Sequence, residues 1–137
     1  MSAPPFIWPS RIRFVDTDAS TRIHYTALFR HFEAAEEEFF RQLGFPYTEL
    51  ERAERSYPRV HVEADYSGAL KADDAIETHV ALERVGRSSF TLRFRTYKDG
   101  VEAGKGKITA VCMSVATQKA EPLPVALAEA LRRYLVE

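Results

Sequence analysis

What this chain lacks narrows it first. It has one cysteine, Cys112, set in an apolar run, so no intramolecular disulfide is available and the thiol reads as core packing in a reducing cytoplasm. Its 19 Lys and Arg stand against 20 Asp and Glu, a formal charge of -1, so no global field favours nucleic acid or a membrane surface. No apolar run approaches the roughly 18 residues a spanning helix needs, and Met1 to Pro9 lacks the basic start and apolar centre of a leader. Neither secretion nor a membrane span is expected. His61 and His79 fall on polar strand faces without ligand spacing, so no metal is expected. A Gly-x-Ser-x-Gly elbow, a Walker loop and a Gly-x-Gly-x-x-Gly turn are all missing, which disfavours serine hydrolase, NTPase and dinucleotide chemistry.

What is present is one domain over residues 1–137, long enough to bury its own core. Its centre is Arg13 to Gly44, read as a strand end, an acidic turn and one long helix. Phe29, Phe32, Phe39, Phe40 and Leu43 recur at threes and fours, which predicts a buried helical stripe with Thr26 as N-cap and Gly44 as C-terminal stop. Ser10 to Val15 alternates and predicts a first strand. Phe45 to Tyr57 reads as a connection with a possible helical turn before Pro58.

From Arg59 the period changes to two. Val60, Val62, Ala64 and Tyr66 share one face of a strand; Ile76, Thr78, Val80 and Leu82 share one face of the next; Phe90, Leu92 and Phe94 oppose Arg93 and Arg95 in a third. Asp99-Gly100 predicts a hairpin, and Glu102 to Thr117 a central strand with two apolar faces. A helix is expected after Pro124. The order β-α-β-β-β-β-α predicts an α+β fold in which a curved antiparallel sheet wraps the long helix. Such a sheet leaves an open edge, which association with a second copy would cover.

The segment FVDTDASTRIHYTALFRHFE resembles the signature of the 4-hydroxybenzoyl-CoA thioesterase group of hotdog-fold acyl-CoA thioesterases: an Asp-x-Asp turn, small residues, an aromatic pair and the long helix. The strand order, Asp65-Tyr66 and the residues around Ser89 fit as well, so the resemblance spans about residues 10 to 117. It implies hydrolysis of an acyl-CoA or acyl-carrier thioester without a cofactor. Asp18 matches the family's nucleophile or general base, and the amide near Tyr25 matches the donor that polarises the carbonyl. CoA is expected at the interface of a homodimer or homotetramer, its phosphates near Arg87, with Lys105 and Lys107 as further candidates and Ser89 on the substrate; Phe29, Phe32 and Tyr66 suggest an apolar or aromatic substrate pocket, although the same residues would fill a core. Amides at a helix N-terminus and an ionised carboxylate beside them suit those roles physically. The chain departs from the pattern in having Ser20-Thr21 where Gly-Gly is frequent, Ala27-Leu28 where Asn-Tyr is common, and His24 in place of an aromatic.

Competing roles accompany these residues. Asp18 could be a turn or capping residue, and Asp16 is read as structural. His24 is a candidate acid or base, with packing as its alternative. Glu36 falls in the aromatic stripe, where it is either satisfied by a partner or an interface, or raised in pKa for catalysis. Glu33 is expected to be a structural hydrogen-bonding partner. A non-catalytic acyl-CoA or acyl-carrier binding module is the alternative function, and the hydratase branch of the fold lacks its histidine and carboxylate motif here.

Overall fold

A computed structural model describes residues 3–52 and 54–137. Residues 1, 2 and 53, which belong to the stretches Met1 to Pro9 and Phe45 to Tyr57 discussed above, lie outside the described residues. The elements are β1 (Phe6–Arg11), a 3-10 turn (Phe14–Asp16), α1 (Ala27–Leu43), α2 (Tyr47–Arg52), β2 (Arg55–Ser56), β3 (Arg59–Tyr66), β4 (Ala75–Val85), β5 (Ser89–Lys98), β6 (Val101–Val111), β7 (Met113–Ser114) and α3 (Val125–Arg132). A five-stranded antiparallel sheet of order β1-β4-β5-β6-β3 curves around α1, the arrangement expected above. None of the described helices is long and apolar enough to cross a membrane.

The helix forms where periodicity places it. Its buried side is Ala27, Leu28, His31, Phe32, Ala35, Glu36, Phe39 and Phe40, with Phe29 and Leu43 at the margins, and Gly44 ends it at φ 90°, a left-handed conformation that costs glycine little. Thr26 precedes the helix without capping it by its side chain, because its hydroxyl lies 2.9 Å from His24 Nδ1 instead.

The inner sheet face is the one alternation predicted. Ile76, Thr78, Val80, Leu82, Phe90, Leu92 and Phe94 are buried, and Phe32 stacks on Phe94 at 4.6 Å. Asp99 and Gly100 take φ of 50° and 77°, the two positive values a tight hairpin needs. The sequence did not announce how closely α1 approaches β6. A Cβ on Gly106 would lie 2.4 Å from the Glu63 carbonyl oxygen and 2.6 Å from the Phe32 ring, so only glycine lets helix and sheet meet there.

Three expectations are corrected. The first strand is Phe6–Arg11 and not Ser10 to Val15: Pro9 is tolerated because β1 is an edge strand, while Phe14, 85% exposed, belongs to the 3-10 turn. The strand expected over Glu102 to Thr117 ends at Val111. There the Cys112 amide turns to the Ser88 carbonyl at 2.7 Å, and Met113–Ser114 pairs with Arg55–Ser56 in a separate two-stranded sheet. Finally, the strand carrying Val60, Val62, Ala64 and Tyr66 has no fully buried residue: β3 is the opposite edge of the sheet, tied to α1 through Arg59, and Val60 is 60% and Val62 51% exposed.

Because the Gly106 contact involves backbone and a buried ring, Gly106→Ala should cost about 1–3 kcal/mol, read as a lower urea midpoint at unchanged m-value.

Candidate functional site

The acidic turn is built on one buried carboxylate. Asp16 accepts from Arg30 Nη2 at 2.6 Å, from His31 Nε2 at 2.9 Å and from the Arg13 amide at 2.8 Å, while its carbonyl accepts from the His24 amide at 2.7 Å. His31 continues the chain of contacts to Ser10 Oγ at 3.1 Å. Burial works to raise the Asp16 pKa, but the hydrogen bonds from Arg30, Arg13 and His31 outweigh it and hold the carboxyl below its ordinary value. Asp16 is structural, as expected: it staples the end of the first strand to the first turns of α1.

Between the two ends of that staple the chain makes a small hairpin, Thr17 pairing with Ile23, and Asp18 sits on it. Its amide donates to the Arg22 carbonyl at 3.1 Å and its carbonyl accepts from Thr21 at 3.0 Å. Thr21 turns the chain at φ 69°, the left-handed region where a glycine would be unstrained, which explains the physical appeal of the Gly-Gly pair at this place. The Asp18 side chain is exposed. Its Oδ1 accepts from the Ser20 hydroxyl at 2.5 Å and the Ser20 amide at 2.8 Å, and these bonds, with the nearby His24, lower its pKa. Asp18 is thus an ionised carboxylate in a concavity shared with Phe14, Thr21 and Ala72.

Next along the chain, His24 stacks on Tyr25 at 4.5 Å, and its Nδ1 accepts the Thr26 amide at 3.2 Å, which places the proton of the neutral ring on Nε2. The Tyr25 amide, at the approach to α1, has no acceptor among the described residues. The Tyr25 carbonyl takes the hydroxyl of Tyr66, so the far end of β3 is tied to the helix entrance. Tyr25 and Tyr66 line a cleft with Arg22, Ile23 and Leu70, in the chain segment adjoining the Asp18 concavity. Phe29 is half-buried and meets Phe32 edge-on at 5.8 Å. Asp18, His24, Tyr25, Phe29 and Tyr66 are therefore gathered around the helix entrance.

Arg87 and Ser89 are not. They occupy the β4–β5 turn, where Ser89 Oγ accepts from Arg84 at 3.4 Å and Arg87 is exposed. The hairpin bearing Asp18 joins the Ala75 end of β4, through the Ile12 amide on Asp74 and the Ile23 amide on Leu70. The turn bearing Arg87 lies at the Val85 end, roughly 30 Å away along the strand. Ser88 and Pro58 both bond to the end of β6, so Arg87 shares its end of the sheet with the start of β3. Lys107 pairs with Glu83 at 3.3 Å and Lys105 is exposed, both on the sheet face away from α1.

Glu36 also belongs to that second end. Its side chain is 3% exposed, and Oε2 accepts from Arg59 Nη2 at 2.6 Å and from the Tyr47 hydroxyl. The satisfied reading holds for that oxygen. Oε1 has no partner among the described residues. Glu36 lines a cleft of about 390 Å³ whose walls include Phe40, Tyr47, Tyr57 and Phe90. Burial, then the Glu36 charge, raises the Tyr47 pKa, and burial raises that of Tyr57. Glu33, expected to be a hydrogen-bonding partner, is exposed at the cleft and makes no side-chain hydrogen bond among the described residues. The roles of Arg59, Tyr47 and Tyr57 were not foreseen, although a carboxylate inside an aromatic stripe signals that a cation must fold onto it.

Similarity to known proteins bears on the fold and the family. Residues 12–131 match the family model described as the thioesterase-like superfamily. The chain is 33% identical over 116 residues to a 1,4-dihydroxy-2-naphthoyl-CoA hydrolase of Prochlorococcus marinus, covering 79% of this chain and 75% of that one. A hypothetical protein of Aquifex aeolicus has a solved structure that superposes with a TM-score of 0.88 at 30% identity, over 93% of this chain and 99% of that one. A 1,4-dihydroxy-2-naphthoyl-CoA thioesterase from Synechocystis has the same fold, with a TM-score of 0.87 at 15% identity over 93% and 95% of the two chains.

Asp16→Asn should lower stability by about 2–3 kcal/mol at pH 7, measured by urea unfolding. Because the folded Asp16 pKa lies below its unfolded value near 3.8, its contribution is complete above that value and is lost as pH falls through the folded one. The gap between wild type and variant should therefore narrow below pH 4.

Proposed function

The chain belongs to the thioesterase-like superfamily, and from that premise we propose that it is an acyl-CoA thioesterase that hydrolyses its substrate at the hairpin and helix entrance around Asp18 and Tyr25. The observation that carries the reading is an exposed carboxylate, held ionised by Ser20, on the hairpin that leads to an amide with no acceptor among the described residues at the approach to α1. A thioester carbonyl whose oxygen accepts from the Tyr25 amide gains a donor for the negative charge that develops during attack. Asp18 either attacks the carbonyl carbon, expelling CoA and leaving a mixed anhydride that water then splits, or takes a proton from the water that attacks directly; by either route CoA leaves as the thiol and the acyl group as the free acid. The reaction needs no cofactor. His24, whose ring lies against Tyr25 and whose Nδ1 accepts the Thr26 amide, supports the site's shape.

The working unit in this reading is at least a homodimer, and the cytoplasm is its place. Support for the dimer comes from the two ends of β3. Tyr66 lies at the end with Tyr25, and Arg59 at the end with Arg87 and the Glu36 cleft. Antiparallel pairing of the open β3 edge with that of a second copy sets the Arg59 end of one chain beside the Tyr66 end of the other. It also covers Val60 and Val62 and carries the second copy's Arg87 toward the thioester site, where it would meet CoA phosphates. Phe29 and Tyr66 then face the acyl group, and Ser89 stands near the turn that holds the nucleotide.

Asp18→Asn is the decisive variant. Incubated with acetyl-, hexanoyl-, palmitoyl-, benzoyl- and 4-hydroxybenzoyl-CoA, wild type should release thiol from at least one, and the variant should lose about 100-fold or more in kcat while CoA affinity persists. Ligand binding by wild type without thiol release from any ester would replace the hydrolase reading with that of a binding module.

A further inference from the structure

We propose that the cleft between α1, α2 and the start of β3 is a binding site for a small primary amine, whose ammonium group is held by Glu36 against an aromatic wall. Three observations lead there. Glu36 brings to the cleft a buried carboxylate oxygen, Oε1, that has no donor among the described residues, while Oε2 is already engaged by Arg59 at 2.6 Å and by the Tyr47 hydroxyl. An ionised carboxylate only accepts, so whatever completes it must bring N–H or O–H; its terminal torsion is broad, and a small rotation presents Oε1 to the cleft. The cleft, about 390 Å³, is of ligand size and far larger than the roughly 30 Å³ share of a water molecule. Its wall is a run of rings, Phe40 meeting Tyr47 at 6.2 Å and Phe90 at 5.7 Å, and Phe90 meeting Tyr57 at 6.3 Å. Such rings give water few partners, and their faces attract a cation.

Charge balance decides between an ammonium and a hydroxyl. Both arginines of the lining are committed, Arg59 to Glu36 and Arg55 to Glu121 at 2.9 Å, and Glu33 stands at the rim with no ion pair among the described residues. Three carboxylates thus face two guanidinium groups, a surplus of one negative charge. A hydroxyl leaves that surplus in place and an anion adds to it, whereas one ammonium cancels it and donates a charge-assisted hydrogen bond. The same helix holds a parallel: Asp16 takes a side-chain donor of α1 on each of its oxygens, Arg30 on Oδ1 and His31 on Oδ2.

This is a second site, independent of the thioesterase reading. Glu36 lies eleven residues beyond Tyr25, about 16 Å along a helix, so the cleft stands apart from the hairpin and helix entrance of the same chain. The rest of the lining sets the ligand's body. Leu50 and Phe90 are buried hydrocarbon, which calls for an apolar group of about the size of one ring behind the nitrogen. The ligand is therefore a free small amine, cationic at one end and apolar at the other.

Equilibrium binding of benzylamine and of its neutral isostere benzyl alcohol to the whole chain at neutral pH tests the cleft without any turnover. Wild type should bind the amine at least about 10-fold more tightly than the alcohol, and Glu36→Gln should bring the ratio near 1. Glu33→Gln, at an exposed position that leaves the core untouched, should weaken the amine by about 2–5-fold and leave the alcohol unchanged, with thermal melting to check the fold of both variants. Equal or tighter binding of the alcohol by wild type, or no binding of the amine at millimolar concentration, overturns the inference whatever the variants do. CoA and hexanoyl-CoA should leave the amine's affinity unchanged; displacement of the amine by either overturns the assignment of a separate site.

Discussion

The buried carboxylate of Asp16 is the constraint on which the hairpin and the helix entrance depend. It holds donors from the end of the first strand and from the second turn of α1, and so sets the angle at which the chain enters the helix. With both ends of the excursion stapled, residues 17 to 24 have little choice but a closed hairpin, and Asp18 opens the turn at its tip. Two aspartates two residues apart thus have opposite fates. One is removed from water and consumed by structure; the other is left in water with a serine to keep it charged.

The helix is placed against the sheet by a second constraint, the absence of side chains on β6. Gly104 under Leu28 and Gly106 under Phe32 let α1 settle onto the strands until Phe32 stacks on Phe94. That depth matters at the surface, because it brings the helix entrance level with the end of β3, where the Tyr66 hydroxyl reaches the Tyr25 carbonyl. Core packing and site geometry are the same fact seen from two sides. An account of the site that stopped at Asp18 and Tyr25 would omit the glycines that hold them in place.

Local patterns made much of this legible. The helix from Thr26 to Gly44, the Asp99-Gly100 hairpin and the buried faces of β4 and β5 follow from periodicity and backbone preference, and so do the acidic turn and the structural role of Asp16. What escaped depends on partners distant in the chain. Alternation predicts the first strand over Ser10 to Val15, and only the edge position, where the amide that Pro9 lacks is not needed, lets it begin at Phe6. Thr26 looked like a cap, but His24 claimed its hydroxyl. Glu36 was recognisably misplaced in an aromatic stripe, yet nothing local could name Arg59, which arrives from another element. Nor could spacing reveal that Arg87 and Asp18 lie at opposite ends of one sheet.

The sheet order carries a consequence for how the chain is made. β4, β5 and β6 form a meander whose neighbours are joined by tight turns, but β3 precedes it in the chain and pairs with its last strand, Val62 opposite Ile108. During synthesis β3 is therefore complete well before its partner exists, by about 2–10 s at ordinary rates of chain elongation. Throughout that interval a strand with Val60 and Val62 on its surface has neither edge satisfied, and even after β6 arrives one edge stays open. The open edge of β3 is thus the first aggregation hazard of the nascent chain, and whatever strand comes to pair with it is also its last protection.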